Sequence, residues 1–167
     1  MKDYRQPSKK IPASYLKNPV HLISLGYGSG LSPKAPGTMG TLAAIPLYLL
    51  LATLDLQWYL LFTLLLTLSG VWFCAYTSAA LEVHDHPGIV IDEFAGFLIT
   101  MIAVPFNLYT VILGFMLFRL FDIVKPWPIS WLDRKVHGGL GIMLDDILAG
   151  MFALCAMHLI MFISGTL

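Results

Sequence analysis

The sequence predicts an all-α membrane protein, a polytopic helical bundle of about five short membrane segments plus one interfacial helix. Three observations predict it. Apolar residues make up 57% of the 167 and charged residues only 12%, against about 25% charged in ordinary soluble chains. The mean hydropathy is +0.77, too high for a fold whose whole surface meets water. The apolar residues also fall into separate runs divided by turn-forming clusters, and the cations are confined to a few of those divisions.

The runs are residues 41–54, 56–81, 89–106, 109–123 and 147–163. A helix needs about 20 residues to cross roughly 30 Å of hydrocarbon. Residues 56–81 are long enough; the first run is short, and half-spans or re-entrant segments are expected among the rest. Breaks fall at Asp55, at His84-Asp85-His86-Pro87-Gly88, at Pro105-Phe106-Asn107 and across residues 125–146, all of breaker or turn chemistry. Read as one helix, residues 89–123 would be about 52 Å long. That is too long for one bilayer, so a hairpin at Pro105–Asn107 is expected. Between Lys125 and Asp146, Ile129, Leu132 and Val136 recur at helical spacing, with Asp133, Arg134 and Lys135 interleaved and Trp127 and Trp131 alongside. This reads as a short helix at headgroup level, or as an amphipathic loop packed on the protein.

All ten Lys and Arg lie within residues 2–17, at Lys34, or within residues 119–135. Positive charge marks the cytoplasmic side, so the N-terminus is expected in the cytoplasm. The same topology gathers Asp85, Asp92, Glu93, Asp122, Asp145 and Asp146 on that side and leaves Asp55 opposite. Residues 1–20 read as a polar, mobile cytoplasmic tail, without the apolar core of a cleaved signal peptide, and residues 21–167 as one membrane-embedded unit. Zero net charge gives no case for nucleic acid. Cys74 and Cys155 sit inside apolar runs and read as small core residues.

Two carboxylate pairs, Asp92-Glu93 and Asp145-Asp146, stand where apolar helices are expected to start. Capping alone explains one such pair, since a carboxylate at a helix N-terminus gains about 0.3–1 kcal/mol. Four carboxylates on one membrane face repel one another and lose solvation, which calls for an offsetting cation. An all-oxygen donor set suits Mg2+, with Asp85 as a further candidate ligand. Asp122 is expected at a helix end, where the dipole disfavours it, with Arg119 three residues before and Lys125 three after. The trio reads as a local ion-pair string, or as a ligand or base flanked by two phosphate-binding cations. The Gly-rich stretch from Gly26 to Gly40 matches neither nucleotide-binding fingerprint. It leads into a helix start at Thr38–Thr41, with Thr38 the expected cap and free N–H groups suited to an anion, or it is simply a flexible entry loop with a cap. His84 and His86 read mainly as polar turn residues.

Four ordered motifs then carry a resemblance: Ser32-Pro33…Pro36-Gly37-Thr38, Ile89-Val90-Ile91-Asp92-Glu93, Phe118-Arg119…Asp122…Lys125-Pro126-Trp127-Pro128, and Gly141…Asp145-Asp146…Ala149-Gly150. From about Asn18 onward the chain resembles the bacterial phosphatidylglycerophosphatase A family. The resemblance implies Mg2+-dependent removal of the terminal phosphate of phosphatidylglycerophosphate at the inner membrane, with membrane lipid around it and no obligate protein partner. Lys34 and Glu82 fall outside the motifs.

The expected site therefore comprises Asp92, Glu93, Asp122, Asp145 and Asp146 as catalytic carboxylates. Asp92, Glu93, Asp145, Asp146 and Asp85 are the candidate ligands for one or two Mg2+. Arg119, Lys125, Gly37 and Thr38 face the phosphate, and a water, or alternatively an Asp or Thr38, attacks phosphorus. Two other classes compete with this reading. A proton- or ion-coupled transporter fits intramembrane carboxylates but not their clustering at one face or the lack of an inverted repeat. A headgroup phosphotransferase lacks its expected Asp-x-x-Asp-Gly…Ala-Arg pattern.

Overall fold

The computed structural model describes residues 10–83 and 85–165, and these are helical throughout, with no strand among them. A 3-10 turn, Ala13–Lys17, leads into α1 (Pro19–Ser24), which a second irregular turn joins to α2 (Pro36–Leu51). Then follow α3 (Leu56–Leu81), α4 (Ile91–Thr100), α5 (Leu108–Val124), α6 (Ile129–Lys135) and α7 (Gly138–Ser164).

Two helices, α3 and α7, are long and apolar enough to cross a membrane. At 1.5 Å per residue they run about 39 and 40 Å. Only 22% and 28% of their most apolar stretches are buried inside the protein. A soluble core helix of that composition would be mostly covered, so lipid is the natural partner of the exposed Leu, Trp and Phe side chains on these faces. The other apolar helices are shorter: α2 and α5 extend about 24–26 Å, and α4 about 15 Å.

The hairpin at Pro105–Asn107 is present, but its first limb is a ten-residue helix rather than a crossing. All of α4 except Ile99 is buried, packed against α2, α3, α5 and α7. Gly96 makes this possible: a Cβ on the facing Gly150 would fall 2.5 Å from the Gly96 carbonyl oxygen, so α4 and α7 touch backbone to backbone. The chain then turns through residues 101–107. Asn107 starts α5 with a capping box, its Oδ1 accepting from Thr110 N at 2.9 Å while Thr110 Oγ1 accepts from Asn107 N at 3.2 Å.

The starts of α2, α4 and α7 and the ends of α3 and α5 share one end of the bundle. Residues 52–55 and the 101–107 turn share the other, where Tyr48, Leu54, Tyr59, Met101, Val104 and Phe106 line a small apolar cavity. Helix α6 is short and amphipathic as expected: Ile129 is fully buried, Asp133, Arg134 and Lys135 face out, and Trp127 and Trp131 are exposed beside it. Within the expected tail, Ala13–Lys17 and α1 are ordered on α3: Tyr15 Oη donates to Ala80 O at 3.1 Å, and His21 Nδ1 lies 3.0 Å from Thr77 Oγ1. Structured chain thus begins before the expected boundary at residue 20; residues 1–9 lie outside the described residues.

Candidate metal and phosphate site

Asp92 and Glu93 occupy the first turn of α4, where the helix dipole favours them. Both are buried, and Asp92 Oδ1 accepts from Glu93 N at 3.1 Å. The second pair departs from expectation. Helix α7 starts at Gly138 rather than near residue 146, so Asp145 and Asp146 lie two turns inside it. Capping therefore cannot explain them. Both are nonetheless buried, at 8% and 3% exposure.

Asp122 projects from the last turn of α5, one helical turn after Arg119. Arg119 Nη1 lies 2.6 Å from Asp122 Oδ2 and 3.9 Å from Glu93 Oε1, close enough to pair but without hydrogen-bond alignment, and its Nε is buried with no partner. The local ion pair and the phosphate-binding role are thus compatible, because the pair leaves guanidinium donors unused. Lys125 caps α5 in the left-handed conformation, φ 44°. That turn sends its ammonium to Asp145 Oδ2 and, at 3.2 Å, to Asp133 Oδ1 of α6. Burial alone would lower the Lys125 ammonium pKa; the Asp145 and Asp133 carboxylates outweigh burial and hold it above the usual lysine range.

Helix α2 begins three residues earlier than a Thr38 cap would place it, with Pro36 at its first position and Ala35 as the cap residue, so Thr38 lies in the first turn and is not the cap. Proline is suited to that position because its fixed φ is already helical. The ladder opens with Met39 N donating to Ala35 O, which leaves the N–H groups of Gly37 and Thr38 ahead of it. Gly37 packs directly on the acidic site: a Cβ there would overlap Glu93 Oε1 and lie 3.2–3.3 Å from the Arg119 guanidinium nitrogens.

The carboxylates from three helices meet. One oxygen each from Asp92, Glu93 and Asp146 lies within 4.8 Å of the others, and the same holds for Asp122, Asp145 and Asp146. Glu93 Oε2 and Asp145 Oδ1 are buried with no hydrogen-bond partner. Orphaned buried acceptors cost about 1–3 kcal/mol each, more when charged. The donor set is all oxygen, and Mg2+ at about 2.1 Å from each ligand would satisfy them. The residues present fit such an ion. Asp85 is exposed on the α3–α4 turn and belongs to neither triplet. His86 is buried, and its Nδ1 accepts from Gly88 N at 3.0 Å, a turn-shaping role. His84 lies outside the described residues.

A family model described as phosphatidylglycerophosphatase A matches residues 22–161, a stretch that holds every one of these site residues. The chain belongs to the phosphatidylglycerophosphatase A family. Two relatives bearing that name support it. One, from Escherichia coli, is 51% identical over 87% of this chain and 86% of its own length. The other, from Haemophilus influenzae, is 44% identical over 93% and 95%. A relative from Bacteroides thetaiotaomicron named as a putative phosphatidylinositol-3-phosphatase is 41% identical over 79% of this chain and 87% of its own. No solved structure matches.

What sequence reasoning missed at this phosphatidylglycerophosphatase A site was the packing role of Gly37 and the pairing of Lys125 with Asp133. The first needs a tertiary contact. The second was legible only as proximity of opposite charges across Pro126–Pro128.

Proposed function

We propose that this protein hydrolyses the terminal phosphate monoester of phosphatidylglycerophosphate, giving phosphatidylglycerol and inorganic phosphate, with Mg2+ as cofactor. We place the reaction at the cytoplasmic face of a bacterial inner membrane that the chain crosses several times. The observation that carries this reading is the meeting of five buried or half-buried carboxylates, two with orphaned oxygens, beside an arginine with unused donors.

Asp92, Glu93, Asp145 and Asp146 are the ligands we assign to the metal. Mg2+ held there would supply a Lewis acid for phosphoryl oxygens and a polarised water as nucleophile. Arg119 offers Nε and its fork to the transferring phosphoryl group, where planar paired donors suit phosphate oxygens. Asp122 holds that fork in place from 2.6 Å. The N–H groups of Gly37 and Thr38 add fixed donors at a helix start, and Lys125 supplies a second cation from the edge of α6. With all described Lys and Arg at this end of the bundle, the positive-inside bias favours the cytoplasmic side.

The test is purified full-length protein in detergent with phosphatidylglycerophosphate, stripped of metal with EDTA and then resupplied with Mg2+, reading inorganic phosphate. Release that stops on stripping and returns with Mg2+ is expected. No release with any divalent metal would overturn the proposal.

A further inference from the structure

We infer that the acidic end of the bundle is built for two divalent cations, with Asp146 shared between them: one seat formed by Asp92, Glu93 and Asp146, the other by Asp122, Asp145 and Asp146. This rests on the metal-dependent reading above and deepens it by adding Asp122, beside its pairing with Arg119 through Oδ2, to the ligand set and assigning each carboxylate to a seat.

Each triplet closes separately, with its three oxygens within 4.8 Å of one another. Oxygens on one octahedral Mg2+ are about 3 Å apart when adjacent and about 4.2 Å when opposite, from a bond of about 2.1 Å. Each triplet therefore needs only a small side-chain rotation to tighten. Each also holds its own orphan. Glu93 Oε2 belongs to the first seat and Asp145 Oδ1 to the second, both on residues 8% exposed and neither oxygen hydrogen-bonded. One ion in either seat would leave the other seat's orphan unmet.

Charge points the same way. The five carboxylates of the two triplets share two cations, Arg119 and Lys125, and Lys125 is shared again with Asp133, so at least three formal negative charges remain before any phosphate arrives. The ion pairs among the described residues reach Glu93, Asp122, Asp133 and Asp145; none reaches Asp92 or Asp146. A single divalent ion would still leave the site formally anionic and hostile to a dianionic phosphate ester. Two ions offset that charge. Asp146 is the residue placed to serve both, because it stands on α7 and is the one residue that belongs to both triplets. Paired ions about 3.5–4 Å apart are a recurrent way to hold a phosphoryl group in line between attacking and leaving oxygens.

The probe is Mn2+, titrated into the metal-stripped full-length protein in detergent and followed by electron paramagnetic resonance and equilibrium dialysis. Two Mn2+ per chain are expected, with the six-line spectrum of an isolated ion giving way to that of a coupled pair as the second binds. Asp122→Asn should leave one ion with an isolated spectrum, and Asp146→Asn should abolish coupling. Retention of thermal unfolding behaviour identifies variants that still fold, and wild-type stoichiometry alone decides the main point. One Mn2+ per chain at saturation, with phosphate release intact, overturns the pair and leaves the hydrolase reading standing. No Mn2+ bound together with no phosphate release overturns both.

Discussion

Gly37→Ala is the sharpest single test of how the site is held. The new methyl would overlap Glu93 Oε1 and press on the Arg119 guanidinium nitrogens at 3.2–3.3 Å. A carbon and an oxygen settle at about 3.3–3.6 Å, so the Glu93 carboxylate must retreat by about 1 Å. Arg119, already 3.9 Å from that carboxylate, must move with it. A displacement of about 1 Å in catalytic geometry costs on the order of 100-fold in rate, or roughly 2.7 kcal/mol of barrier at 1.36 kcal/mol per tenfold. Alanine also raises helix propensity by up to about 1 kcal/mol, so stability should change little. The assay is phosphate release from phosphatidylglycerophosphate in detergent, with thermal unfolding and gel filtration in parallel and Leu42→Ala, exposed on the same helix, as control. A folded Gly37→Ala protein within about threefold of wild-type kcat would show that Glu93 and Arg119 are not held against α2 in the way described.

Four further outcomes follow from the same contacts. Asp92→Asn and Asp146→Asn should each abolish phosphate release while the protein still inserts; near-normal turnover in both would remove the metal assignment. Arg119→Lys keeps the charge but loses the fork, so a loss of about 10–100-fold in kcat/KM is expected, against no change if Arg119 only anchors Asp122. Gly150→Ala places a methyl on the Gly96 carbonyl and should cost about 1–3 kcal/mol of stability, read as a lower unfolding midpoint. In a background with Cys155 replaced by Ser, cysteines at Lys34 and at Asp55 should be labelled by a membrane-impermeant thiol reagent from opposite sides; same-side labelling would refute the topology.

The hairpin and the rough positions of the apolar helices were legible because breakers and periodicity are local signals; α1 was not expected, and two helices, not five, are long and apolar enough to cross a membrane. Asn107 starts α5 through its own side chain. The extent of α4 was not legible, because residues 101–106 are as apolar as the helix before them and only tertiary packing makes them a turn. The start of α7 was missed for the opposite reason. Residues 138–146 mix glycines with charge and read as loop, yet α6 and the flank of α3 cover their backbone: a Cβ on Gly139 would fall on the Val71 carbonyl. That Asp92, Glu93, Asp122, Asp145 and Asp146 come together was legible from charge confined to one end, whereas Asp85, on the exposed α3–α4 turn, joins neither triplet. The grouping into triplets was not legible, since Asp146 meets residues 24 and 54 positions away in sequence.

That early start of α7 also bears on the depth of the site in the membrane placement proposed above. Beyond Asp146 the helix has 18 residues, 147–164, or about 27 Å, close to the roughly 30 Å of a bilayer's hydrocarbon. In the membrane placement proposed above, the two turns before it, with α6, Trp127 and Trp131, would stand in the headgroup layer, where exposed tryptophans are favoured. Asp145 and Asp146 would then fall at the boundary itself, and α4, only about 15 Å long, would present Asp92 and Glu93 to the same level. A half-length α4 is what this requires. A full crossing would need its lipid-facing residues exposed, whereas all but one of its ten are buried among four other helices. The phosphate of a phospholipid lies at this depth while its acyl chains remain in hydrocarbon. On the proposed reading, a phosphomonoester on the headgroup would therefore reach these carboxylates without the lipid leaving the bilayer.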